Sequence, residues 1–78
     1  MPTVLRQGPY RFYFYSNEKG EPAHIHVQRE RYTAKFWLKP ISLASSKGFA
    51  SHELRRIQGH IVNNLSLLQE AWNEHISS

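Results

Sequence analysis

Seventy-eight residues leave room for one domain, 1–78, and a chain this short buries only about 60% of the surface its unfolded form exposes, so little stability is to spare. The lack of cysteine excludes disulfides and thiolate metal sites as staples, which points to a second copy or a partner protein as the source of extra burial. Ten Lys and Arg against six Asp and Glu, a net charge of +4, favour an acidic partner such as nucleic acid or an acidic protein, with a mildly basic solvated surface as the plain alternative. The Met-Pro-Thr start carries no charged segment leading into an apolar one, and nowhere do ~18 apolar residues run together. The chain therefore reads as soluble and cytoplasmic, with no membrane partner.

A short strand at Thr3–Arg6 meets a turn signal at Gly8-Pro9. The aromatic run Tyr10–Tyr15 follows as a second strand, because such side chains suit a pleated, half-buried surface. Ser16–Pro22 is rich in turn formers and reads as a loop. A third strand then spans His24–Arg29, a reversal falls at Glu30-Arg31, and a fourth strand runs from Tyr32 to Leu38 until Lys39-Pro40 interrupts the ladder. Ile41–Ser46 fits either one more strand or a single helical turn. Leu54, Ile57, Ile61, Leu65, Leu68 and Trp72 recur at spacings of three and four, which gathers them on one stripe of a single helix over residues 52–76. Ser51 is its expected N-cap, since a hydroxyl can accept from an orphan amide of the first turn. Gly59 falls on the polar side and takes no role. A sheet needs one face covered, so the expected fold is α+β: a small, mostly antiparallel sheet of three to five strands backed by one long C-terminal helix.

With a reversal at Glu30-Arg31, paired positions have a constant sum, which sets Val27 opposite Ala34, Ile25 opposite Phe36, His26 opposite Lys35 and His24 opposite Trp37. The first two pairs are wholly apolar and the last two carry every polar group, which supports the hairpin. Glu-Arg suits a tight two-residue turn poorly, so a four-residue loop of the same parity is expected. The alternation puts Phe12, Phe14, Ile25, Val27, Ala34, Phe36 and Leu38 under the helix. It leaves Arg11, Tyr13, Tyr15, His24, His26, Gln28, Thr33, Lys35 and Trp37 on the second face. So many rings and cations on one surface predict a cover: a symmetry mate in a homodimer, another protein, or nucleic acid.

His24 and His26, at i and i+2 of one strand, are expected side by side about 6 to 7 Å apart. As an acid and base pair, one imidazole takes the proton of an RNA 2′-hydroxyl while the other supplies one to the 5′-oxygen. Arg11 or Lys35 then stabilises the charged transition state. That is metal-independent endoribonuclease chemistry and needs no cofactor. As metal ligands the two histidines fall short of the third and fourth that zinc wants, with His52 and His60 on the helix and Glu18 and Glu21 in a loop, so no metal is assigned. The plain alternative is a pair that hydrogen-bonds within a polar sheet surface. The candidate site is thus His24, His26 and Lys35 for catalysis, with Arg11, Tyr13, Tyr15, Gln28 and Trp37 for binding.

Over nearly its whole length the chain resembles a small bacterial family of uncharacterised domains. The resemblance is carried by the segments 1–6 and 10–18, by Glu21-Pro22-Ala23-His24-Ile25-His26-Val27, by Ala34-Lys35-Phe36-Trp37-Leu38, and by Gly48-Phe49 and Glu70-Ala71-Trp72. Arg29-Glu30-Arg31-Tyr32 departs from it where a glycine-containing turn is expected, which leaves the hairpin loop length open. The resemblance implies one component of a two-gene, toxin–antitoxin-like module, beside a cognate small protein, and supplies no catalytic residues. With the second face, it points to a toxin-like protein that engages RNA or its partner. The alternative is a non-enzymatic binding module, antitoxin or regulator, using the same face as an interface.

Overall fold

The computed structural model describes residues 3–15 and 20–77. Residues 16–19 of the expected loop, and the first two residues of the 1–6 segment, lie outside the described residues. Strands β1 (Thr3–Gln7), β2 (Tyr10–Tyr13), β3 (His24–Arg29), β4 (Tyr32–Leu38) and β5 (Ile41–Lys47) form one antiparallel sheet in chain order. Gly8, at φ 57, supplies the left-handed residue that lets Gln7 pair directly with Tyr10.

Every β3–β4 pairing expected from the constant sum is present. The turn itself is a correction. Arg29 pairs with Tyr32, so Glu30 and Arg31 alone make the reversal, and Glu30 takes the left-handed backbone, φ 56, that such a turn asks of its first residue. The Gln28 amide, donating to the Glu30 carbonyl at 2.9 Å, helps hold it there.

Ile41–Lys47 is a strand, because β4 offers its backbone a full set of partners. Its register slips between Lys35 and Phe36, leaving Ala44 as the extra residue of a bulge. The cis peptide between Lys39 and Pro40 makes the corner before it.

The single long helix is corrected to two, α1 (Ser51–Asn63) and α2 (Leu65–Ser77). Asn64 leaves helical geometry at φ −122, ψ 21. Its backbone N–H reaches the carbonyls of His60 and Ile61, and its side-chain amide donates to the His60 carbonyl at 2.8 Å. Asn competes in this way for backbone groups that a continuing helix would use. The N-cap is also corrected: Ala50, extended at φ −75 and ψ 159, accepts from the amides of Glu53 and Leu54 through its carbonyl, with no side-chain cap.

The apolar stripe survives the break, since Ile57, Ile61, Leu68 and Trp72 are buried while Leu54 and Leu65 pack at its margin. They cover Phe12, Phe14, Ile25, Val27, Ala34, Phe36 and Leu38, all buried, together with Tyr10 and Phe49. Each such large side chain contributes about 1.5–3 kcal/mol of burial. Gly48, at φ 97, is where β5 turns toward α1, and a Cβ there would enter the Tyr32 ring.

Candidate functional site

The alternation carries the second face across four strands. Arg11 and Tyr13 come from β2, His24, His26 and Gln28 from β3, and Thr33, Lys35 and Trp37 from β4. Beyond the bulge, Lys47 pairs with Thr33 and Ser45 with Lys35, so β5 adds a cation and a hydroxyl to the same face. Part of this face forms a cleft of about 320 Å³ lined by Tyr13, Tyr15, His26, Thr33, Lys35, Ser45 and Lys47, with Ala34 and Ser46, whereas Arg11, His24, Gln28 and Trp37 of the expected site lie outside that lining. Ser45 and Lys47 escaped the sequence reading because 41–46 had no settled state, and with it no face.

His26 is the centre of the aromatic part. Its ring stacks on Tyr13 at 5.5 Å and 24°, and Tyr15 meets it edge-on at 4.5 Å. His24 lies 5.1 Å from His26, with the two rings perpendicular. The expected pair is therefore adjacent, yet its members differ in access: His26 is half-buried, whereas His24 is 0% exposed. Trp72 of α2, at 4.7 Å, and Trp37, at 5.7 Å, close over His24. Its Nδ1–H donates to the Pro22 carbonyl at 2.8 Å, since a carbonyl can only accept. Tyr13, expected on an open surface, is 3% exposed, and only Tyr15 of the two tyrosines stands out, at 44%.

The cations are ordered by neighbours. Lys35 Nζ donates to Glu21 at 2.7 Å and sits 4.5 Å from the Trp37 ring centroid. Arg11 donates to the Thr3 hydroxyl at 2.7 Å and to Gln28 at 3.2 Å, with its guanidinium 4.5 Å over Tyr13. Lys47 is exposed, with no ion pair among the described residues. The cleft thus offers an aromatic wall, one accessible imidazole and two lysines at opposite degrees of restraint.

A second polar cluster went unread. Glu53, in the first turn of α1, accepts from Arg29 Nε at 2.6 Å, from a second Arg29 nitrogen at 3.1 Å, and from the Tyr10 hydroxyl at 2.9 Å. The Arg29 bonds hold the Glu53 carboxyl below its usual range, and they raise the guanidinium in turn. Burial, then the Glu53 bond, pushes the Tyr10 phenol up. His60 packs on the same Tyr10 ring at 5.7 Å. This bidentate clamp ties the β3–β4 hairpin to α1. Glutamate near a helix start was its only signal in the chain, and nothing in the sequence named Arg29 as the partner.

No group of three or more His, Cys, Asp or Glu among the described residues is placed to hold a metal ion. Among the described residues no helix is long and apolar enough to cross a membrane.

The fold and cleft define a small α+β domain, an antiparallel meander with two helices on one face and a ring-lined cleft on the other. The family described as a domain of unknown function, DUF4160, matches residues 10–73, and the chain belongs to it. No curated protein and no solved structure matches the chain significantly.

Proposed function

We propose that the chain is the toxin-like component of a bacterial two-gene module, a cytoplasmic homodimer with the module's second small protein as its cognate partner, and that it engages RNA through the cleft. The observation that carries this is the grouping of Tyr13, Tyr15 and His26 with Lys35 and Lys47 around one concavity. The Tyr15 and His26 rings, backed by the buried Tyr13, give unstacked bases a platform and the lysines hold phosphates, which is the chemistry of single-strand recognition. The marginal size of the domain supports the homodimer.

Within the cleft His26 is the group in reach of a 2′-hydroxyl, with Lys35 or Lys47 at the phosphate. His24 touches no bound ligand in this arrangement and acts as a positioning residue, holding the His26 ring by its perpendicular contact. A protein partner on the same face is the second reading, favoured by the pairing of Lys35 with Glu21, which leaves fewer unrestrained charges for phosphates.

The test is single-stranded RNA binding and cleavage with a chelator present. Tyr15→Ala should cost about 1–3 kcal/mol of binding, and Lys47→Ala should flatten the salt dependence by about one counterion. If the RNA is cut, His26→Ala should slow cutting by about 10²-fold, whereas His24→Gln should shift its pH profile. Unchanged binding and cleavage in Tyr15→Ala, His26→Ala and Lys47→Ala would assign the face to a protein instead.

A further inference from the structure

On the helix side of the sheet, α2 leaves a second opening at the N-terminal end of β1. It measures about 640 Å³, and Val4, Phe14, Leu67 and Ala71 give it an apolar floor, with Leu67 44% exposed. Glu70 and Glu74 stand on its rim. Both are exposed, and they lie one turn apart on α2, where like charges repel. The other described carboxylates have cations beside them: Glu21 has Lys35, while Glu30 and Glu53 share Arg29. Glu70 and Glu74 have no Lys or Arg paired with them among the described residues, in a chain whose net charge is +4, and the imidazole beside them, His75, lines the same opening with its ring stacked on Phe14 at 5.2 Å. β1, the other wall of the opening, is an edge strand with one side unpaired in the sheet.

We propose that this groove docks an extended, basic segment of a partner protein. Alternate side chains of an extended segment stand about 6 to 7 Å apart, close to the roughly 5–6 Å between helix positions one turn apart. Two Lys or Arg side chains at alternate positions therefore meet Glu70 and Glu74 together, and flanking apolar side chains cover Leu67 and Ala71. The open edge of β1 can take main-chain hydrogen bonds from the same segment. RNA is the wrong occupant, because the rim carries its sign of charge. The groove is separate from the cleft on the second face, and neither assignment needs the other.

The probe is the synthetic peptide Leu-Thr-Lys-Thr-Lys-Thr-Leu, followed by calorimetry and by amide chemical shifts of the full chain. Shifts should concentrate at Thr3, Val4 and residues 67–75, and affinity should fall as salt rises from about 0.05 to 0.5 M. The double variant Glu70→Lys, Glu74→Lys should lose about tenfold or more in affinity and should prefer a peptide with glutamate in place of lysine. Both positions are exposed, so its thermal melt should match the parent's. No binding up to about 1 mM, equal binding of the lysine and glutamate peptides, or shifts centred on the cleft would each overturn the proposal. So would a dimer of the parent that the double variant dissolves, since the occupant would then be a second copy. The loss of RNA binding caused by Tyr15→Ala should be as large in the double variant as in the parent, which separates this outcome from failure of the cleft.

Discussion

The two faces of the sheet obey one alternation and end in different environments. Under the helices, Phe12, Phe14, Ile25, Val27, Ala34, Phe36 and Leu38 are all buried, whereas on the edge strand Leu43, opposite Phe36, is 44% exposed. On the second face, exposure runs from 0% at His24 and 3% at Tyr13 to 44% at Tyr15. Parity therefore decides which face a side chain joins, and depth is decided by what reaches over it. Here that is Trp72, which passes the end of the sheet to lie on both Phe14 and His24. A helix that serves the core also seals half of the histidine pair on the other side.

The sharpest way to break this comparison is at the core face. Ile61→Asp buries an unpaired carboxylate against the sheet and should cost several kcal/mol, most of what a domain this small has. Circular dichroism should show an unfolded or molten chain, and a cooperative melt matching the parent's would mean that α1 packs elsewhere. Next come the two histidines. His24→Ala empties a site closed by two tryptophans and should cost about 2–3 kcal/mol in urea denaturation, whereas His26→Ala should cost less than about 1 kcal/mol. The reverse order would put His24 at the surface and erase the difference between the pair.

Acid stability sharpens the comparison at the Glu53 clamp. The folded carboxyl titrates below its unfolded value, near 4.5, so the clamp adds stability above that pH and loses it as pH falls through the folded value. Glu53→Gln should lose stability at neutral pH and show a flatter decline in acid. A decline as steep as the parent's would assign the acid sensitivity to other carboxylates. The smallest effect is expected at Gly59, where an added Cβ meets nothing within 4 Å. Gly59→Ala should raise stability by up to about 1 kcal/mol in a thermal melt, and a loss would reveal a contact on that face.

Much of this was legible in the chain. The pairings of His24 with Trp37 and His26 with Lys35 followed from parity alone, because a slip of one residue would have buried lysine and exposed phenylalanine. The helix break was not legible from the stripe, since the apolar residues keep their spacing through it. Asn63-Asn64 was the available sign, and it is a local hydrogen-bonding effect that periodicity does not register. The depth of His24 depends on a residue 48 positions later, Trp72, and no rule of spacing joins the two. The β5 part of the cleft was hidden for another reason: Ile41–Lys47 is short on apolar alternation, and its pairing comes from the backbone of β4.

The chain-order meander carries a consequence for synthesis and folding. Each strand pairs with the one made just before it, so every closure is short and costs little entropy, and the sheet can grow as the chain leaves the ribosome. The helices come last. Until residues 51–77 emerge, Phe12, Phe14, Ile25, Val27 and Phe36 face water on a finished sheet, and that interval is the one in which a nascent chain is most open to aggregation or capture by a chaperone.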